Sequence, residues 1–249
     1  MKICLAGISG ARYAEKYYEK CQFRLESFYK IPKWCMPSIK ECELFLLDSG
    51  AFTFMNDIKK KNKNINFDEY VDKYIKFIND NDIKYFFELD IDSIVGIDEV
   101  ERLRKKIELG TGKKCIPVWH KSRGKEYFIK MCQDYDYVAI GGIVTKEITP
   151  EEYKYFKWFI DTAHSYGCKI HGLGFTSTKL LQYYNFDSVD STSWTSGSKF
   201  AVMYYFNGKK IIKIDTNKRR VRNDIPTSGI NTHNFLEWCK FQKYAELHY

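Results

Sequence analysis

The sequence lacks the closely spaced cysteines that mark most zinc and redox sites. None of its eight cysteines stands in a CxC or CxxC pair, and Cys4 and Cys115 lie in apolar runs where a thiol packs as a small hydrophobic group. No apolar run approaches the roughly 20 residues of a membrane span, and no signal peptide is evident. We therefore expect a cytoplasmic protein (host cytoplasm if phage-encoded) with no metal or other cofactor.

Acidic residues are outnumbered by basic ones. The chain has 40 Lys and Arg residues against 32 Asp and Glu, which gives a net charge of +8. Such a balance favours a polyanionic partner, because basic side chains that neutralise phosphates release counterions. A lysine-rich solvated surface gives the same balance without any partner. The mean hydropathy of −0.46 fits a globular protein.

Short apolar runs alternate with amphipathic stretches along the whole chain. The runs are hydrophobic almost throughout, as in parallel strands that are buried on both faces. The strand candidates are 2–8, 44–48, 84–90, 114–119, 137–142, 169–174, 186–191 and 210–215, with helical patterns at 67–80, 98–109, from 150 onward and at 231–249. This series predicts an α/β fold. Eight strands in about 250 residues predict one (β/α)8 TIM barrel over 1–249, with an open doubly wound sheet as the alternative.

Polar residues and glycines collect where the strand candidates end. In a parallel barrel the active site is built at these carboxyl ends. The residues found there are Asp48, Asp90, Asp92, His120, Gly141, Gly142, His171, Gly172, Gly174, Asp187 and Asp190. Carboxylates gathered at one mouth suit general acid–base chemistry or covalent chemistry at a sugar carbon.

Four of these segments resemble motifs of the guanine transglycosylase family. The sequence DSGAF resembles the family's DSGGF, AIGGI resembles AIGGL, GLGF with a following LL resembles GxGxPxxLL, and FDSVDS resembles GVDxFDC. These segments lie at 48–52, 139–143, 172–181 and 186–191, in the family's order and with comparable spacing. The resemblance implies a barrel enzyme that breaks the N-glycosidic bond of a guanosine and joins a 7-deazaguanine to the same sugar.

The resemblance also implies roles for single residues. It makes Asp190 the nucleophile at C1′, and Asp48 the acid for the departing guanine and the base for its replacement. Asp90 matches the family's base-reading aspartate, with Asp92 as the alternative, because a carboxylate accepts hydrogen bonds from guanine N1–H and its amine. Trp119 or His120 falls where the family keeps a glutamine that contacts the base, so a different side chain stands at that position here.

The glycines at the strand ends carry expectations of their own. By the same resemblance, the backbone amides of Gly141 and Gly142 approach the carbonyl oxygen of the base. Gly172 and Gly174 leave room for the sugar or the base. Trp194 follows the nucleophile and is either a core residue or a stacking platform for a flipped base.

Two departures from the family concern the substrate. Members that modify tRNA carry a zinc subdomain after the nucleophile, with a CxCxxC run and a histidine, whereas only His233 and Cys239 follow Asp190 here. The arginine of the family's PTR segment is also missing. Compact relatives that act on DNA lack these parts. The resemblance is therefore closer to 7-deazaguanine DNA transglycosylases, with a preQ0-type base as co-substrate, and a monomer is plausible without the zinc region.

Action on duplex DNA requires the target nucleotide to be flipped out, and basic residues near the mouth would hold the phosphates. The candidates are Lys121, Arg123, Lys125, Lys199, Arg219, Arg220 and Arg222. Three alternatives stay open: a tRNA substrate, a non-catalytic barrel that binds nucleic acid, and a glycoside hydrolase with two carboxylates.

Overall fold

A computed structural model describes residues 1–51, 53, 66–175, 177–197, 202–215 and 227–249. Within these residues, eight parallel strands form one sheet and an antiparallel hairpin forms a second. The parallel strands are β1 (Lys2–Ala6), β2 (Phe23–Ser27), β3 (Leu44–Asp48), β4 (Tyr85–Phe86), β5 (Val118–Trp119), β6 (Tyr137–Ile140), β7 (Lys169–Gly172) and β8 (Ser188–Ser191). The hairpin is β9 (Val202–Phe206) with β10 (Ile211–Asp215).

Neighbouring strands in the parallel sheet follow the chain. The order is β4-β3-β2-β1-β8-β7-β6-β5, so the first strand lies beside the last. The two outer strands approach each other through one isolated parallel bridge between Phe87 and Ile116. There the Ile116 amide donates to the Phe86 carbonyl at 2.8 Å, and the Glu88 amide donates to the Ile116 carbonyl at 3.1 Å. The sheet is therefore strongly curled.

Buried side chains fill the inside of this curl. One hydrophobic cluster draws on five strands and on both residues of the bridge. Its buried members are Cys4, Ala6, Phe23, Leu25, Leu44, Leu46, Phe87, Ile116, Val118, Tyr137 and Ala139. Cys4 is fully buried, and Cys115 is 2% exposed in a neighbouring cluster, as expected for thiols that pack as hydrophobic groups.

Helices alternate with the strands, and their ends follow local capping rules. The α-helices are α1 (Met36–Lys40), α2 (Phe67–Asp80), α3 (Asp92–Val95), α4 (Ile97–Thr111), α5 (Gly124–Asp134), α6 (Phe156–Ser165) and α7 (Thr227–His248). The side chain of Asn66 accepts from the Glu69 amide at 3.2 Å and so caps α2. Thr149 and Glu152 form a capping box before a 3-10 turn that leads into α6. No described helix is long and apolar enough to cross a membrane.

The expected strand set needs one correction. The segment 210–215 does not join the parallel sheet; as β10 it pairs antiparallel with β9, and Phe206 of β9 packs against Phe241 of α7 with ring centroids 6.0 Å apart. The missing parallel strand is β2. Its alternate residues Arg24 and Glu26 are only 2% and 3% exposed. A continuous apolar run does not predict this strand, because two of its buried residues are charged types.

Those two charges are held by partners within the protein. The Arg24 guanidinium donates to the Cys21 carbonyl at 3.1 Å and to Ser38 Oγ at 2.9 Å. Glu26 accepts from the Ser9 amide at 2.9 Å. Such partners are what allow charged groups to be buried in a sheet.

Candidate active site

Asp48 and Asp190 lie at the same edge of the parallel sheet. Asp48 is the last residue of β3, and Asp190 is the third residue of β8. Burial raises the pKa of Asp48 to about 6, and the negative charges of Asp190 and Asp90 add to this against the opposing hydrogen bond from the Gly50 amide. The three aspartates are thus near enough to interact. Asp48 can be protonated close to neutral pH, which suits a general acid.

Asp190 is held by one of its two carboxylate oxygens. Its side chain is 11% exposed. Oδ1 accepts from the Gly174 amide at 2.5 Å and lies 3.3 Å from Nε2 of His171, which is fully buried. Both of these contacts use Oδ1, so among the described residues the hydrogen bonds leave Oδ2 for another partner.

A second acid–histidine arrangement lies at the ends of β4 and β5. His120 Nε2 is 2.7 Å from Asp90 Oδ1, and His120 Nδ1 is 2.8 Å from Glu147 Oε2. The contact with Asp90 is an ion pair by distance but lacks the angles of a hydrogen bond. Burial lowers the pKa of His120, but Asp90 and Glu147 raise it more, to about 9. His120 is therefore a cation at neutral pH.

Asp92 and Arg123 belong to a buried ionic network. The Arg123 side chain is 2% exposed, and it pairs with Glu88 at 2.8 Å and with Asp92 at 3.1 Å. Glu88 is fully buried and also pairs with Arg104 at 3.0 Å. The expected phosphate contact of Arg123 does not fit this geometry, because a phosphate backbone cannot reach a guanidinium enclosed by the protein. Its Nη2 lacks a hydrogen-bond partner within the described residues.

Asp90 and Asp92 both line a cavity of about 830 Å³. Five carboxylates surround it, those of Asp90, Asp92, Asp98, Glu101 and Glu147, together with His120 and Arg123. Asp48 and Asp190 are not among its lining residues. A cavity rich in carboxylates suits a neutral ligand with N–H donors better than it suits a phosphate.

The glycines do other work than expected. The Gly141 amide donates to the Trp119 carbonyl at 2.8 Å, so it is used in the sheet and not for a base. A Cβ on Gly141 would lie 2.7 Å from the His120 ring, so glycine is needed there to admit the imidazole. Gly142 lies against Glu147 in the same way. At Gly172 the room expected for substrate is occupied by Phe175 and Val189 of the protein.

Gly174 also differs from the expectation. Its φ is +69°, which favours glycine, and a Cβ there would lie 2.2 Å from Val144. This backbone conformation directs the Gly174 amide at Asp190. The glycine positions the acid and does not leave space for a ligand.

The remaining basic candidates differ in accessibility. Lys121 is 55% exposed and pairs with Glu152, and the Lys125 ammonium lies 5.1 Å from the Trp158 ring centroid. Lys199, Arg219, Arg220 and Arg222 lie outside the described residues. Trp194 is fully buried and donates from its indole N–H to the Ala6 carbonyl at 2.9 Å, so it is a core residue and not a stacking platform.

Asp90, Asp92 and His120 are also the described residues that could hold a metal ion. One ligand atom from each lies within 4.8 Å of the others. His120 is already engaged by Asp90 and Glu147, and Asp92 by the positive charge of Arg123. Both contacts oppose a cation at this position.

Some residues of the site were not predicted from the sequence. Glu147 comes from the segment after β6 and Glu88 from a buried position after β4, where no motif or periodicity marks them. Tyr137 and Ser188 contact each other inside the sheet, and only the register of β6, β7 and β8 brings them together.

No known family model and no curated protein matches this chain. The case for a function therefore depends on the site geometry and on the four sequence segments.

Proposed function

We propose that this protein is a DNA guanine transglycosylase with Asp190 as its nucleophile. The observation that carries the proposal is the pair of acids at one sheet edge. Asp48 has a pKa of about 6, while Asp190 has one oxygen held by Gly174 and His171. Two carboxyl groups in different surroundings at one sheet edge support a reaction that needs an acid and a nucleophile at a sugar.

The proposed reaction is a double displacement. Asp190 attacks C1′ of the target nucleotide, the C1′–N9 bond breaks, and its electron pair leaves with guanine, which takes a proton from Asp48. A 7-deazaguanine then attacks C1′ with its N9, loses its proton to Asp48 and releases Asp190. The product is a nucleotide with the new base and an enzyme with both acids restored.

The cavity beside Asp90 and His120 supports recognition of a purine edge. A carboxylate accepts from N1–H and the exocyclic amine of guanine. Asp90 offers this group, and the His120 ring, 2.7 Å away, holds the carboxylate in place and adds a positive charge beside it. We favour Asp90 over Asp92 as the base reader, because Asp92 is paired with Arg123.

We further propose that 1–249 is one domain and that the eight strands close into a (β/α)8 barrel. Three observations support closure: the strand order follows the chain, a parallel bridge joins Phe87 to Ile116, and one core draws on most of the strands. DNA is preferred to tRNA as substrate because the sequence lacks the zinc segment of the tRNA enzymes. The target base would be flipped from the duplex.

Base exchange tests the function directly. Purified protein is incubated with guanine-containing duplex DNA and labelled preQ0 or labelled guanine, and the DNA is digested to nucleosides. We expect label in the DNA with the wild type and none with Asp190→Asn. Asp187→Asn is the matched control. Asp187 was predicted at the carboxyl ends of the strands, but it precedes β8 and accepts from the Ile170 amide at 2.9 Å, so it lies at the amino end of that strand.

Three outcomes would count against the proposal. Label incorporated equally by the wild type and Asp190→Asn would exclude Asp190 as the nucleophile. Incorporation into tRNA but not into DNA would replace the proposed substrate, and incorporation into neither would favour a non-catalytic binding protein.

A further inference from the structure

A row of buried polar side chains leads from Asp190 into the sheet. Tyr137 on β6, His171 on β7 and Ser188 on β8 are 8%, 0% and 1% exposed. Tyr137 Oη contacts Ser188 Oγ, Ser188 Oγ contacts His171 Nδ1, and His171 Nε2 lies 3.3 Å from Asp190 Oδ1. Four polar groups in line are costly to bury unless each is satisfied by the next.

The direction of the hydrogen bonds follows from the last acceptor. An ionised Asp190 can only accept, so His171 must carry its proton on Nε2. In the neutral ring Nδ1 is then an acceptor, so the Ser188 hydroxyl donates to it. The oxygen of Ser188 in turn accepts from the Tyr137 hydroxyl. Every group in the row donates once towards Asp190.

We propose that His171 is a positioning residue for the nucleophile, held as the Nε2–H tautomer by the carboxylate of Asp190 on one side and by the hydroxyls of Ser188 and Tyr137 on the other; the inference rests on the proposed role of Asp190. The imidazole and the Gly174 amide both donate to Oδ1. They fix the rotation of the carboxylate and withdraw charge from that oxygen. Oδ2 is therefore the oxygen that attacks C1′.

The surroundings of the row leave few substitutes for this donor. The Phe87 ring lies 5.4 Å from the His171 ring, and Cys4 is the residue of β1 paired with Asp190. Burial and the charge of Asp190 raise the pKa of the Cys4 thiol well above its usual range, so it stays uncharged. Removal of the imidazole would leave Asp190 with the Gly174 amide as its described donor.

Ring-nitrogen NMR of the histidines tests the tautomer without any substrate. The chain has five histidines, and the spectrum of His171→Gln assigns the signal of His171 by its disappearance. We expect a pure Nε2–H form near neutral pH in the wild type, and a mixture of both tautomers in Asp190→Asn, whose amide can donate as well as accept. An Nδ1–H form or a doubly protonated ring in the wild type would overturn the proposal.

Exchange kinetics test the positioning. His171→Met removes the donor and fills the same volume, and we expect kcat to fall by about 10- to 100-fold, as for the loss of one hydrogen bond to a charged group, with KM nearly unchanged. His171→Gln restores an N–H at the same reach and should recover most of kcat. Tyr137→Phe should lower kcat less than His171→Met does, because Tyr137 contacts Asp190 only through Ser188 and His171.

A purely structural role would give another pattern. Thermal unfolding of His171→Met and His171→Gln separates a structural role from a positioning role. Loss of packing would lower Tm and kcat together, and His171→Gln would then not recover kcat. Full kcat in His171→Met would overturn the proposal. If the wild type exchanges no base on any nucleic acid, the proposed function fails, while the NMR result still decides the tautomer.

Discussion

Two histidines lie beside aspartates at the ends of the strands, and their surroundings differ. His120 stands between the carboxylates of Asp90 and Glu147 and has a pKa of about 9. His171 stands between the hydroxyl of Ser188 and the carboxylate of Asp190, with no exposed surface. Two acids make the first ring a cation. One acid and one hydroxyl instead make one nitrogen of the second ring a donor and the other an acceptor.

The difference divides the candidate site into two halves. The half with His120 and Asp90 borders the large cavity and presents opposite charges to a ligand. The half with His171 and Asp190 is buried and ends at the oxygen that we assign to bond formation. Under the proposed function, the same pair of residue types would serve recognition in one place and chemistry in the other, according to the third group that each imidazole contacts.

The largest expected effect lies in the chemical half. In the proposed reaction base departure needs protonated Asp48, whose pKa is about 6, so the rate of adduct formation should fall as the pH rises through that value. Asp48→Asn should lower the rate by about 10²- to 10³-fold and remove this pH dependence, because the amide cannot supply a proton. Single-turnover trapping of the covalent DNA adduct measures it. An unchanged pH profile in Asp48→Asn would assign the proton to another group.

The next effect lies in the recognition half. Asp90→Asn should raise KM for the free base by about 10- to 100-fold, because a neutral amide replaces the acceptor of two N–H groups, while the covalent step on DNA changes less. Asp92→Asn is the matched variant. It should lower the free energy of unfolding, because Arg123 loses a buried partner. The reverse pattern would make Asp92 the base reader.

Stability against pH tests the charge on His120. Its pKa is about 9 in the folded protein and about 6.5 in an unfolded chain. The stabilisation from its ion pairs is complete below the lower value and is lost as the pH rises through the higher one. Between these values the wild type should lose about 3 kcal/mol of unfolding free energy relative to His120→Gln.

Urea titrations at several pH values measure this loss. His164→Gln should retain the wild-type dependence, because His164 lies beside Asp187, away from the cavity. A wild type and a His120→Gln variant that respond alike to pH would show that His120 is not charged by its neighbours.

The smallest effect concerns the surface near the recognition half. Lys121→Ala should make the slope of log affinity for DNA against log salt less steep by about 0.9, since one phosphate contact is lost. Lys76→Ala is the control, because Lys76 is also exposed and paired, with Asp80 at 2.8 Å, but lies in the last turn before β4 at the opposite edge of the sheet. Equal slopes for both variants would remove Lys121 from the interface.

The sequence predicted those parts of the molecule that depend on local pattern. The run LFLLD marks β3 to the residue, because a continuous apolar segment ending in an acid is a complete signal. The strand β2 was missed because its charged side chains find partners that lie elsewhere in the chain, Ser9 and Ser38. The local sequence of a strand carries no information about hydrogen-bond partners from other segments of the chain.

The candidate site could likewise be predicted only in part. Asp48, Asp90, His120 and Asp190 could be placed at strand ends from the sequence, and the structure brings them to one edge. The roles of the glycines could not be predicted, because Gly141 is required by the ring of His120 and Gly174 by the carboxylate of Asp190. Glycine is required at these positions by contacts that form only when the strands pair in this register.

The bridge between Phe87 and Ile116 has a consequence for motion. The strands on either side of it, β4 and β5, are two residues long, whereas β1, β3 and β8 span four or five. Backbone protons of Glu88 and Ile116 should therefore exchange with solvent sooner than those of β1. Local opening at this bridge would therefore displace Asp90 and His120, which follow β4 and β5, more than Asp190, which lies within β8.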